Sequence, residues 1–253
     1  MGTRRLRLLL TAAAGIAVVV AALATWQLAF RDTTKPASLD DALARFRAQA
    51  AAADIQIPPG VYVYATTGSE FVSALGGLRH RYPARSTITV TAGGCGTKLR
   101  WDVLVHRSNV YELCDDGRRL GAWTETHRFV GQDDVTPWRC ESTAWRPEPS
   151  GRESPAGHLC RAGATLQRGT VTVVGEETAR VGAATVDVVR LRIDATETGD
   201  ARGPLVEERW LEAETGLPVR IDYRASTLNS SPIGDVRFEE RYTLDLVSLE
   251  PRR

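Results

Sequence analysis

Lysine is nearly missing from this chain: only Lys35 and Lys98 occur, and arginine supplies every other Lys/Arg position. The four histidines, His80, His106, His127 and His158, are scattered. No C-x-x-C, H-x-x-x-H or H-E-x-x-H spacing is present, so a metal centre of the usual kind is not expected. G-x-S-x-G, Walker and G-x-G-x-x-G patterns are also missing, which removes the motif-defined hydrolases, nucleotide phosphatases and dinucleotide enzymes. No cofactor is expected. Charge of one sign is lacking too, with 32 Lys+Arg against 31 Asp+Glu. With the four arginines of residues 1–31 set aside, 28 basic residues face 31 acids, a balance of −3. Such a chain is expected to offer no basic field to nucleic acid. The wealth of arginine beside alanine, glycine and valine reads as the mark of GC-rich coding, with phosphate binding as the alternative.

Charge is absent altogether from Leu8 to Phe30, a run of 23 residues. At ~1.5 Å rise per residue this makes a helix of roughly 34 Å, long enough to cross a hydrocarbon core. Arg4, Arg5 and Arg7 precede it without an acid, which holds residues 1–7 in the cytoplasm, and Trp26 suits the far interface. An uncleaved signal-anchor over residues 8–30 is the favoured reading. A signal peptide cleaved near Ala24, at the Ala22-x-Ala24 site, is the alternative. Either way the rest of the chain is expected outside the cytoplasmic membrane.

That address decides the cysteines. Cys95, Cys114, Cys140 and Cys160 all lie in the exported part, and an even count in an oxidising compartment reads as disulfides. Four cysteines allow three pairings, which sequence alone leaves open. The pairing expected is Cys95–Cys114, tying two strands of a hairpin, with Cys140–Cys160 clipping the proline-rich stretch between them.

Ser38 opens "SLDDALARFRAQAAA", where Ser38 and Asp41 have capping-box spacing and Leu39, Leu43, Phe46 and Ala50 share one helical face. A helix of about 15 residues is expected there, packed on the domain, within a linker over 31–58. "IPPG" at 57–60 ends it. From there the period is two. Val61 and Val63 alternate with Tyr62 and Tyr64; Leu99, Trp101, Val103 and Val105 with charged residues; Trp123, His127 and Phe129 share a face. The pattern resumes at Val189, Leu191 and Ile193, at Leu217, Val219, Ile221 and Tyr223, and at Val236, Phe238, Tyr242, Leu244 and Leu246. This predicts a mainly β fold: antiparallel meanders over 59–140 and 160–253, joined by a loop over 141–159, in one curved sheet or two stacked ones. "SEFVSALGGLRHRYP" (69–83) is expected to hold a further short helix.

"VEERWLEAETGLPVRIDYRA", Val206 to Ala225, resembles the strand–turn–strand of LolA-like envelope proteins, which include lipoprotein carriers and RseB-like stress regulators. "VVGEETARVGAATVDVVRLRI" before it resembles the strand leading in. The N-terminal part, with "YVYATTGSE" and "GCGTKLRW", is similar to membrane-anchored actinobacterial proteins of unknown function. The resemblance implies a curved half-barrel whose concave face holds an apolar ligand, or whose surface engages an envelope protein.

No catalytic residues are assigned. Ser69, His80 and Asp133 or Asp134 make a triad only on paper. Glu70, Glu207 and Glu208 would supply paired carboxylates, but adjacent Glu207 and Glu208 on a strand point to opposite faces and read as solvated. His127 reads as a satisfied, partly buried histidine. The weak ligand-binding candidates are Trp101, Trp123, Trp210, Tyr62 and Tyr64. Two readings remain: a membrane-tethered, noncatalytic domain binding a lipid, another apolar ligand or an envelope protein, and an envelope hydrolase with an unrecognised site.

Overall fold

The computed structural model describes residues 34–49, 55–74, 77–129, 131–146, 156–231 and 234–253. The predicted tail 1–7 and span 8–30 lie outside the described residues. Among the described residues no helix is long and apolar enough to cross a membrane.

Among the described residues one helix, α1 (Leu39–Gln49), precedes thirteen strands. They are β1 (Gly60–Val72), β2 (Leu78–Arg81), β3 (Arg85–Ala92), β4 (Gly96–Leu104), β5 (Arg107–Cys114) and β6 (Arg119–Phe129). Then follow β7 (Gln132–Ala144), β8 (Ala156–Ala162), β9 (Thr165–Val181), β10 (Ala184–Thr198), β11 (Ala201–Glu212), β12 (Pro218–Asn229) and β13 (Val236–Leu246). All form a single antiparallel sheet. β2 and β3 pair with successive halves of β1 and act as one interrupted strand, while β13 pairs with the other edge of β1 from Tyr64↔Leu246 to Val72↔Phe238. The sheet therefore closes into a barrel of twelve staves.

Closure corrects two expectations. The half-barrel implied by the resemblance is a full barrel, because the edge of β1 not used by β2 and β3 is in backbone register with the last strand, β13, and the two free edges pair. Within 69–83, where a short helix is expected, residues 69–72 and 78–81 are strand: Glu70 and Val72 stay in register with Glu240 and Phe238, and β2 returns antiparallel beside them, while residues 75–76 lie outside the described residues. The loop expected over 141–159 is shorter as well. Glu141–Ala144 and Ala156–Leu159 belong to β7 and β8, since the prolines sit between them and leave the flanks free to pair.

At the seam Gly68 lies opposite Tyr242 with φ +153°, and a Cβ there would overlap the Arg241 carbonyl oxygen. Its own carbonyl accepts the Tyr82 N–H at 3.0 Å, where β2 gives way to β3. Gly68→Ala is expected to destabilise by about 1–3 kcal/mol through overpacking, read from the denaturant midpoint. An unchanged midpoint would show that the seam relaxes without cost.

α1 lies outside the barrel. Ser38 caps it, its hydroxyl accepting the Asp41 N–H at 3.0 Å, and Ala42 and Phe46 cover Val61. Arg45 pairs with Asp102 of β4 at 2.7 Å. The outward positions of β10–β13 carry cross-strand ion pairs, including Arg190–Glu208 and Arg220–Asp245, so this wall faces water rather than lipid.

Both disulfides have the expected pairing. Cys140 and Cys160 are opposite each other on β7 and β8, with Cα atoms 4.0 Å apart. Cys95 joins Cys114 at the open end of the β4–β5 hairpin, away from the turn at 105–106. Gly121 of β6 makes room: a Cβ there would lie 2.7 Å from Cys114 Sγ.

Candidate functional site

An eight-stranded barrel is just filled by its own side chains, so twelve staves leave a lumen to be occupied. One end is packed with Tyr62, Tyr64, Leu99, Trp101, Leu113, Leu120, Trp145 and Leu211, all at most 1% exposed. Tyr62 and Tyr64 donate to the carbonyls of Pro58 and Pro218 at 2.8 and 2.6 Å.

The middle of the lumen is ionic. Arg107, fully buried, forms a bidentate pair with Glu240 at 2.8 and 2.9 Å and reaches Glu70 at 3.5 Å. Its guanidinium also lies 5.2 Å from the Trp101 ring. Glu70 accepts from His80 Nδ1 at 2.7 Å and His127 Nδ1 at 2.9 Å. Burial pushes the Glu70 carboxyl up, but hydrogen bonds from the two imidazoles and the Arg107 charge outweigh it and hold it down to about 2. Glu240, opposite on β13, moves the other way: burial raises it, and the neighbouring Glu70 charge adds to this against the pull of Arg107. Tyr82 donates to Glu240 and is itself raised well above its ordinary value, by burial first and then by the Glu240 charge.

At the other end the lumen opens into a cavity of about 340 Å³. Its walls mix acids, Glu125, Asp134, Glu197 and Asp200, with the rings of Phe129, Trp138, Tyr223 and Phe238; among the described residues His127 is its one basic side chain. Glu125 accepts from Trp138 Nε1 at 3.2 Å. Glu197 accepts from Gln167 Nε2 at 3.0 Å, and Gln167 presents its oxygen to His158 Nε2 at 2.6 Å, which makes that nitrogen the N–H. Burial, and next the Glu125 charge, push the Glu197 carboxyl up to about 7. Burial likewise keeps His158 below the ordinary histidine value.

Beneath it, a smaller cavity of about 30 Å³ shares Glu125 and Tyr223 as walls. His158 Nδ1 and Arg209 Nη1 have no protein hydrogen-bond partner, and both residues line this space. Arg209 pairs with Glu207 and lies 4.0 Å from the Trp145 ring.

None of the five aromatic ligand candidates lines the mouth cavity. Trp101, Tyr62 and Tyr64 belong to the packed end. Trp123 stacks on Trp138 at 4.9 Å and lines the small cavity. Trp210 is on the outer wall, 4.8 Å from Arg190 and 5.3 Å from Arg220. The paper triad is not assembled: Ser69 accepts from Arg79 on the outside, His80 is inside, Asp133 pairs with Arg128 at 2.7 Å, and Asp134 lines the mouth. Glu207 and Glu208 do take opposite faces, but Glu207 is buried against Arg209 rather than solvated. Among the described residues no cluster of three or more His, Cys, Asp or Glu side chains is placed to hold a metal ion.

Glu125, Glu197, Trp138 and Asp200 belong to no motif in the sequence. Glu125 sits two residues from both Trp123 and His127, and Glu197 four residues beyond Ile193, so period two alone places these acids inside. No known family, curated protein or solved structure matches this chain.

Proposed function

We propose that this chain is an extracytoplasmic, noncatalytic binding domain, tethered by residues 8–30, whose barrel mouth takes a small organic cation with an apolar body. The observation that carries this is the pairing of four carboxylates with four aromatic rings around one cavity of about 340 Å³. That volume suits a small molecule rather than a bare ion. Aromatic faces attract cations and the acids supply opposite charge, so the ligand narrows from a purely apolar one to an amphiphilic one. The two disulfides support an oxidising compartment. The likeness of Val206–Ala225 to LolA-like domains supports ligand holding over chemistry.

The test is calorimetry of the full chain in neutral detergent with benzyltrimethylammonium and an uncharged isostere. The quaternary cation keeps its charge at every pH, so any pH dependence belongs to the protein. Affinity is expected to rise several-fold between pH 6 and 8 as Glu197 ionises, and Glu197→Gln is expected to flatten the profile. Equal affinity for the isostere would end this reading.

The same group predicts a stability profile. A carboxyl raised to about 7 in the folded state binds more protons than the unfolded chain from about pH 4.5 to 7, so stability falls as pH rises through that window. Glu197→Gln is expected to stabilise at pH 8 by on the order of 2 kcal/mol and to change nothing below about pH 4. Thermal melts at both pH values check it.

One feature favours a second reading, an envelope hydrolase. A carboxyl that keeps its proton near neutrality beside another carboxylate is the acid of glycoside hydrolysis. Reducing sugar released from a glycan by the parent, and lost in Glu197→Gln, would select catalysis over binding.

A further inference from the structure

The balanced charge of the chain conceals a local basic field on the outer wall. Register places Arg224 of β12 opposite Arg241 of β13, Arg241 opposite Ser69 of β1, and Ser69 opposite Arg81 of β2. These four positions form one row across four adjacent strands. At ~4.8 Å per strand the row spans roughly 14 Å. Arg79 flanks it, donating to Ser69 Oγ at 3.1 Å and lying over the Phe71 ring at 4.9 Å. Arg79, Arg81, Arg224 and Arg241 are all exposed.

The neighbouring acids are already engaged. Asp222 pairs with Arg220 at 3.0 Å, and Glu239 lies 3.7 Å from Arg237. Arg224 and Arg241 face each other directly, a like-charge cross-strand pair that costs stability in the free protein. The row lies in a groove of about 940 Å³. Arg79, Arg81, Arg220, Arg224 and Arg241 line that groove against outward Asp222 and Glu239.

We propose that this groove binds a linear polyanion carrying a phosphate charge on each repeat, lying across the strands. Charge complementarity favours an anion, and guanidinium forks match phosphate oxygens. The concavity favours a polymer over a bilayer, because a flat membrane touches a barrel along its convex wall and does not enter a recess. Binding places negative charge between Arg224 and Arg241 and relieves their repulsion. The groove shares only Tyr223 and Ala225 of β12 with the barrel mouth, which lies inside the lumen and carries the opposite charge.

The test uses the full chain in neutral detergent and fluorescein-labelled polyphosphate, read by anisotropy across a salt series. The double variant Arg224→Ser with Arg241→Ser is expected to lose at least tenfold in affinity. Its slope of log affinity against log salt is expected to be shallower by about 1–2. Its thermal midpoint is expected to lie at or slightly above the parent's, because the like-charge pair is gone, and its benzyltrimethylammonium affinity is expected to match the parent. The control Arg161→Ser with Arg168→Ser removes two exposed arginines from β8 and β9 and is expected to bind as the parent does. Parent protein that fails to bind at low salt overturns the proposal, and so do equal losses in the two double variants.

Discussion

Replacing Arg107 with methionine is expected to cost about 3–5 kcal/mol, the range seen when one member of a buried ion pair is removed. At ~2–4 °C per kcal/mol for a chain of this size, the midpoint falls by roughly 6–20 °C. The cause is the register of the closing seam. Glu70 and Glu240 are directly opposite across β1 and β13, both at most 3% exposed, and Arg107 is the guanidinium that contacts both. Without it two carboxylates share a dry site and at least one must take a proton. The parent has its own acid signature. Because Glu70 is held down to about 2, its contribution is complete above its unfolded value near 4.5 and is lost as pH falls from there towards 2. Adding Glu240→Leu to Arg107→Met removes the stranded charge and is expected to recover much of the loss. A double-mutant cycle in denaturant measures the recovery. A single Arg107→Met variant within about 1 kcal/mol of the parent would mean that this ionic centre does not hold the barrel shut.

Loss of the disulfides ranks next. Cys140–Cys160 and Cys95–Cys114 close loops with sequence separations of 20 and 19. Each is worth about 3 kcal/mol in the chain-entropy model. Replacing both cysteines of one bridge with alanine is expected to cost that much, and reduction of both bridges roughly twice as much, read as a shift in the denaturant midpoint with and without reductant. Thiol labelling of folded, unreduced protein is expected to find no free cysteine. Any labelled thiol there contradicts the pairing.

Local order is legible wherever one cause dominates. Period two announces the strands, because a half-buried stave needs one dry face. The Ser38 cap and the Phe46 stripe announce α1. The cysteine pairs follow from hairpin proximity. Closure is not legible: nothing in Tyr64–Val72 by itself says that it will pair with Phe238–Leu246 at the far end of the chain, since a strand edge carries no address beyond its shape and side-chain faces. β1 past Gly68 looks helical because "SEFVSALGG" satisfies a helical period until Glu240 and Phe238 are supplied from the far end of the chain.

The site escapes notice for a related reason. Aromatics in alternating strands invite a ligand-binding role, yet Trp101 and Tyr62 are spent on packing the closed end. The inward acids Glu125 and Glu197 draw no attention because a carboxylate in an alternating strand is ordinarily solvent-facing. Only a lumen wider than its side chains makes such a position a wall rather than an error. A bulge between Arg190 and Leu191 also shifts phase, so Val188 rather than Val189 is fully buried ahead of Leu191 and Ile193.

The union of β1 with β13 carries a consequence for assembly. The earliest stave to leave the ribosome pairs along one border with the latest, so the ring stays open until residue 246 has been made. In that interval two raw strand borders are exposed, and only neighbouring hairpins protect the growing array. A chain shortened by residues 236–253, which hold all of β13, would be a sticky crescent rather than a slightly weaker ring.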